Sequence, residues 1–324
     1  MDVRNPNCIG FPSSSSNAKR FGDSALEENH WTKSRPSIIF ALREAFRTHW
    51  PEYLMEACSL GFFMLSACGF TVLLFHPSSV IAQRISSEIL RRALMGIAMG
   101  STAIAIIFSP IGKRSGAHIN PAVTLTYLRL GKVKPCDAAF YTLFQFVGAI
   151  SGVLLAAMLM GDALAHQSVR YAATIPGPSG WQSALVAEIA ISFLLMLVVL
   201  IVSNTRRLGR WTGVFAGVLI ANYITFESPL SGMSMNPART LGSAFVANIW
   251  TALGIYFVAP PTGMLLAGEL YKRVRGVRNI ACAKLHHHNN QRCIFECQFE
   301  QIVDSEPARA NHVGSSEKIR NSKF

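Results

Sequence analysis

From about residue 50 to residue 275 the chain alternates long apolar runs with short polar connections, and both ends are polar. A helix that crosses a bilayer needs about 20 predominantly apolar residues. Six runs approach that length, at roughly 53–75, 90–109, 138–160, 182–203, 212–226 and 250–271, the fifth being short for a full crossing. The pattern predicts six membrane-spanning helices. Ahead of the first, residues 37–51 mix Ile38, Ile39, Phe40, Leu42, Phe46 and Trp50 with Arg43, Glu44 and Arg47. That mixture suits either an interfacial helix leading into the membrane or a solvated helix. Residues 1–36 are rich in Ser, Asn and charge and are expected to be disordered. They hold no apolar core of the kind a cleaved signal peptide needs. Three parts follow: an N-terminal tail over 1–51, a membrane domain over 52–275, and a polar, disordered tail over 276–324.

Composition supports this division. Half of the 324 residues are hydrophobic and 15% are charged, which excludes an ordinary soluble domain. A net charge of +12 would suit a nucleic-acid partner if the charge were clustered on one face, but its placement follows topology. Lys and Arg number 7 before the first run, 5 between the second and third, 3 between the fourth and fifth, and 10 after the sixth. Outside these stretches only Arg84, Arg91, Arg92, Arg170 and Arg239 remain. Basic residues collect in cytoplasmic loops. Both termini are therefore expected in the cytoplasm of a multi-pass protein, in a plasma membrane, with no nucleic-acid partner. The seven cysteines show no paired framework and demand no disulfides.

A duplicated motif carries the chemistry. Residues 115–125, Ser-Gly-Ala-His-Ile-Asn-Pro-Ala-Val-Thr-Leu, return at 231–241 as Ser-Gly-Met-Ser-Met-Asn-Pro-Ala-Arg-Thr-Leu. The apolar stretch after each Asn-Pro is too short to cross a bilayer. Asn is a favoured helix N-cap and Pro a favoured first helical residue, so half-helices are predicted to start at Asn120 and Asn236. Irregular backbone at membrane depth survives only where protein or water satisfies it, which places both Ser-Gly segments beside a water-lined cavity. Three runs separate the motifs, an odd number, so the halves are inverted repeats that meet near the midplane. Glu56 and Glu188 open the two halves at matching positions, each an expensive burial unless it finds partners. Where the first motif has Val123 the second has Arg239, and a charge at that depth points to a function.

On these features the chain resembles the aquaporins of the major intrinsic protein family. The resemblance spans about residues 50–275 and rests on both Asn-Pro-Ala boxes (Asn120, Pro121, Ala122 and Asn236, Pro237, Ala238), on Arg239 and on both glutamates. Gln145, Gly148 and Pro260 also fit. The resemblance implies an all-helical fold of six spans plus two re-entrant half-helices, acting as a passive channel without cofactor, metal or catalytic residue. It also implies a homotetramer in which each protomer carries its own pore. The asparagine amides would face the lumen and orient passing water, while the positive half-helix ends repel protons and cations. Glu56 and Glu188 would hold the half-helices in place. Arg239 would line a constriction together with Ile224, Met233 and, from the second span, Met99 or Gly100. A lateral ion pair of Arg239 with Glu227 is the competing reading.

Selectivity signals conflict. Water channels of this family typically carry a histidine where the chain has Ile224 and a phenylalanine in the second span. The chain's apolar ring favours leakage of small neutral solutes such as glycerol, urea, ammonia or hydrogen peroxide. Against this, Thr240 and Ala244 stand where glycerol facilitators have an acid and a base, and Tyr256-Phe257 match the aromatic pair of water-type members. Water is the expected solute and a glycerol facilitator of the same fold the alternative. A non-transporting structural membrane protein is the alternative of another class, opposed by the intact boxes and Arg239. Two weaker features read blandly. His118 is expected to be held by backbone hydrogen bonds rather than to sense pH. His286-His287-His288 with Cys282, Cys293 and Cys297 matches no standard zinc spacing and is expected to be a solvated tail.

Overall fold

The computed structural model describes residues 37–303, and all of its regular elements are helical. The disorder expected for 1–36 and for the end of the chain after 303 lies outside the described residues. The chain order is α1 (Ile38–Phe75), α2 (Glu88–Phe108), half-helix α3 (Pro121–Arg129), α4 (Pro135–Met160), α5 (Gly180–Ser203), α6 (Thr212–Phe226), half-helix α7 (Pro237–Ala247) and α8 (Leu253–Arg275). Five of these are long and apolar enough to cross a membrane. The exception among the six expected spans is α6, whose 15 residues are followed by a single turn at Ser228–Ser231.

Several helices start at a capping side chain or a first-turn proline. The Ser87 hydroxyl accepts from the Leu90 N–H at 3.4 Å, with Glu88 in the first turn of α2. Lys272, Arg273 and Arg275 complement the carbonyl end of α8. One boundary differs from the expectation. The segment 37–51 is continuous with the first span, because α1 runs unbroken through Pro51. Pro51 gives up one helical hydrogen bond, and the anchoring lies on either side of it. Tyr53 Oη donates to Asp137 at 2.6 Å, and His49 Nδ1 lies 2.7 Å from the same carboxylate. The boundary between residues 51 and 52 thus falls inside a continuous helix.

The halves pack as a pseudo-twofold pair. Helix α1 lies against α4 as α5 lies against α8, and α2 against α6 closes the ring. The half-helices cross over: α7 packs on α4, and α3 on α8. Close approach requires glycine at the crossings. A Cβ at Gly148 would sit 2.2 Å from the Ala57 carbonyl oxygen on α1, and one at Gly263 would sit 2.3 Å from the Ile189 carbonyl oxygen on α5.

The end of the described chain departs most from expectation. After Gly276 it does not trail away but folds back beneath the bundle. Ile280, Ala281, Cys282, Ala283, Leu285, Ile294 and Phe295 are all buried. Backbone contacts fasten it: Ala281 N to Asn204 Oδ1 at 2.7 Å, Leu285 N to the Gly116 carbonyl at 3.1 Å, and Glu296 N to the Lys132 carbonyl at 3.0 Å. Its apolar residues follow neither a helical nor a strand period, which is why its polar average conceals them.

Candidate pore

The two motifs fold into matching turns. In the first, Gly116, Ala117 and Ile119 take positive φ (97°, 55° and 42°); in the second, Gly232, Met233 and Met235 do so (79°, 53° and 53°). Left-handed backbone at non-glycine residues is costly, and one buried carboxylate per motif holds it. Glu56 accepts from Ser115 Oγ (2.8 Å), His118 N (3.1 Å), Ile119 N (2.6 Å) and Gln145 Nε2 (2.8 Å). Glu188 accepts from Ser231 Oγ (2.8 Å), Ser234 N (2.6 Å) and Met235 N (2.7 Å). A tyrosine completes each support: Tyr141 Oη donates to the Ser115 carbonyl at 2.6 Å and Tyr256 Oη to the Ser231 carbonyl at 2.5 Å. No local pattern marks these hydroxyls as supports, although each tyrosine follows its motif's serine by a nearly constant interval.

The half-helices meet end to end. Asn120 and Asn236 cap α3 and α7 through their side-chain oxygens, which accept from Ala122 N at 2.9 Å and from Ala238 N at 3.0 Å. Each amide then reaches across the pseudo-twofold axis. Asn120 Nδ2 donates to the Met235 carbonyl and Asn236 Nδ2 to the Ile119 carbonyl, both at 2.7 Å. An amide nitrogen carries two hydrogens. One is spent on this cross-tie, leaving the other for a visitor. Pro121 and Pro237 take the first helical position, and Ala122 and Ala238 are fully buried beneath them.

Both asparagines line a cavity of about 470 Å³. Toward one mouth its wall includes Arg239, Ile224, Met233 and Met99, with Met95 and Arg92 farther along α2. Toward the other it includes His118, Ile107, Val199 and Leu285, the last from the folded-back C-terminal segment. Of the two candidates on α2, Met99 is in the wall and Gly100 is not among the lining residues. A Cβ at Gly100 would lie 2.4 Å from the Gly217 carbonyl, so this glycine serves the α2–α6 contact. The Arg239 guanidinium donates through Nη1 to the Thr174 hydroxyl. Among the described residues no ion pair joins it to Glu227. Thr174 lies on the loop between α4 and α5, and nothing in the sequence singled it out.

His118 is held on all sides. Nε2 faces the Ala283 carbonyl at 2.9 Å, an atom that only accepts, so Nε2 carries hydrogen. Nδ1 lies 3.0 Å from Thr124 Oγ1, and the ring stacks between Tyr127 and Phe295.

Inverted repeats of membrane-length helices, with two half-helices meeting inside one cavity, have the architecture of a channel. Comparison with known proteins carries this to a family. Residues 45–271 match the family profile described as "Major intrinsic protein". A probable NIP-type aquaporin of Nicotiana alata is 32% identical over 227 residues, covering 69% of this chain and 77% of that protein. Aquaporin NIP1-4 of Oryza sativa subsp. japonica is 35% identical over 182 residues, covering 56% of this chain and 64%, just under two thirds, of the relative. Among solved structures, the aquaglyceroporin from Plasmodium falciparum shares the fold with a TM-score of 0.58 at 20% identity, covering 70% of this chain and 96% of that one. The chain belongs to the major intrinsic protein family.

Proposed function

We propose that the chain conducts water and small neutral solutes passively across a membrane while excluding protons and ions. The observation that carries this reading is the pair of cross-tied asparagines on the cavity wall, each with one amide hydrogen left over. Two half-helix N-termini converge there, and their partial positive charge opposes a cation but not a neutral molecule. Arg239 adds a full positive charge nearer one mouth. Ile224, Met233, Met99 and Arg239 form the selectivity constriction in this reading, and Glu56 and Glu188 support the half-helices. Such a protein needs no cofactor and performs no catalysis.

A glycerol-type facilitator of the same fold is the second reading. It is favoured by the apolar side chains that share the wall with Arg239, because a ring with few polar contacts discriminates weakly against larger neutral solutes. Arg239→Val should raise glycerol entry relative to water in a reconstituted assay; an unchanged ratio would count against Arg239 at the constriction.

The basic segments support a cytoplasmic tail-side mouth in this reading, and the resemblance implies a homotetramer in a plasma membrane. Apolar residues exposed on the outer faces, such as Val147, Leu154 and Val186, suit lipid or neighbouring protomers.

Met233 offers a chemical test of position. In a Cys58→Ser, Cys68→Ser background, adding Met233→Cys should make water flow more sensitive to mercurials than in that background alone, reversibly by added thiol. Equal sensitivity of both proteins would place residue 233 off the conduction path.

A further inference from the structure

The folded-back C-terminal segment holds a second constellation that the channel does not use. Cys282, His287, Cys293 and Cys297 each offer one donor atom, and all four atoms lie within 4.8 Å of one another. Cys282 Sγ and Cys293 Sγ are 3.5 Å apart, and Cys297 Sγ and His287 Nε2 are 3.0 Å apart. Zinc bonds of about 2.3 Å to sulfur and 2.0 Å to nitrogen give a tetrahedron with edges of roughly 3.5 Å. The cluster is already near that size.

The surroundings fit a metal better than four unrelated side chains. A backbone N–H, that of Lys284, points at Cys282 Sγ at 3.5 Å, the kind of outer contact that orients a thiolate ligand. The His287 ring is fixed by stacking on Phe299, with centroids 4.2 Å apart at 15°. The turn between the ligands is built locally. Asn289 Nδ2 donates to the His286 carbonyl at 2.7 Å, and Gln291 N donates to Asn289 Oδ1 at 2.9 Å. The Lys284 ammonium donates to the Gln291 and Arg292 carbonyls at 3.0 and 2.7 Å and supplies positive charge close to three thiols. Three thiolates and one imidazole form a closed, soft donor set, characteristic of structural zinc rather than of calcium, magnesium or a catalytic site with an open position. The four ligands are spread over sixteen residues in an unfamiliar spacing, so the sequence alone suggested a solvated tail.

We propose that Cys282, His287, Cys293 and Cys297 bind one zinc ion, and that this ion fastens the 280–298 segment across the tail-side mouth of the pore. The segment is short and holds no helix or strand over 280–298, so a metal cross-link is an effective way to hold it folded. What it holds in place is specific. Ala283 and Phe295 grip His118 beside the first Asn-Pro-Ala box, Leu285 enters the cavity wall, and Arg292 lies 3.9 Å from Glu52. This second half of the proposal rests on the channel reading; the metal site does not.

The test uses the full chain, purified in detergent under reducing conditions with a tag that does not bind metal. Elemental analysis should find close to one zinc per chain. Replacing zinc with cobalt(II) should give tetrahedral d–d and thiolate charge-transfer bands. Cys293→Ser and Cys297→Ser should lose both signals, whereas Cys58→Ser keeps them. The cobalt spectrum of the unmodified chain decides the matter even if a variant fails to fold. No tetrahedral spectrum, zinc content at background after exposure to zinc, or a Cys282–Cys293 disulfide in the reduced protein would overturn the site. For the mouth, stripping zinc from proteoliposomes should raise water permeability, and adding zinc should restore it. Unchanged flux after verified zinc loss would overturn the fastening role while leaving the site intact.

Discussion

Glu188→Ala should abolish water permeation while leaving the outer helices formed. Three buried donors, Ser231 Oγ, Ser234 N and Met235 N, lose their common acceptor. Unsatisfied buried donors cost about 1–3 kcal/mol apiece in water-soluble proteins, and somewhat less in a membrane, where the unfolded reference also finds partners. The loss does not stop at hydrogen bonds. Met233 and Met235 are held at φ of 53°, a conformation costing roughly 1–2 kcal/mol at each non-glycine residue. Without the carboxylate this strain relaxes by moving the second motif, and Asn236 and Arg239 move with it. Glu188→Gln keeps the volume but offers one acceptor oxygen in place of two, so it should fall between the alanine variant and the parent. Osmotic shrinkage of proteoliposomes reads the flux, and thermal unfolding in detergent reads the stability. Parental flux from a folded Glu188→Ala protein would mean that the second half-helix is held by something else.

Gly148→Val should prevent assembly of the bundle. The new Cβ would lie 2.2 Å from the Ala57 carbonyl oxygen and 2.6 Å from the Ala57 Cα. Both atoms are helix backbone and have no rotamer by which to give way. Helices α1 and α4 would have to separate by more than an ångström along a crossing that also contains Gly61 and Gly152, forfeiting the packing that drives association of helices in lipid. Gly254→Ala is the matched control, because nothing lies within 4 Å of a Cβ built there. The expected result is an aggregated or rapidly degraded Gly148→Val protein beside a Gly254→Ala protein with parental melting behaviour in size-exclusion and thermal assays. A monodisperse Gly148→Val protein with the parental melting temperature would contradict the close α1–α4 crossing.

How much of this was legible in the sequence depends on the range over which each signal acts. The spans follow from the length of apolar runs, and the half-helices from Asn-Pro caps written twice at one fixed offset. The glutamates were marked by their matching positions at the start of each half. The contact of Arg239 with Thr174 joins residues far apart in sequence through an irregular loop, so no local pattern announces it. Gly100 and Met99 are neighbours, and only the helix's rotation decides which faces the cavity and which faces Gly217. The fold of the C-terminal segment is hidden in the sequence because hydropathy is an average. Ile280, Ala283, Leu285 and Phe295 are too few and too unevenly spaced to raise it, yet each fills a place beneath the bundle. The cysteine and histidine cluster was hidden for a related reason, since the turn at 289–291 rather than a familiar spacing brings its members together.

The most direct measurement is stopped-flow light scattering on proteoliposomes that compares water-driven shrinkage, glycerol re-swelling and proton leak for the parent and for Arg239→Val. The parent should pass water well above empty liposomes, admit small neutral solutes more slowly and leak no protons, while Arg239→Val should lose part of that discrimination. Water flux no higher than in empty liposomes from folded protein, with zinc both present and removed, would contradict the open channel at the centre of this account.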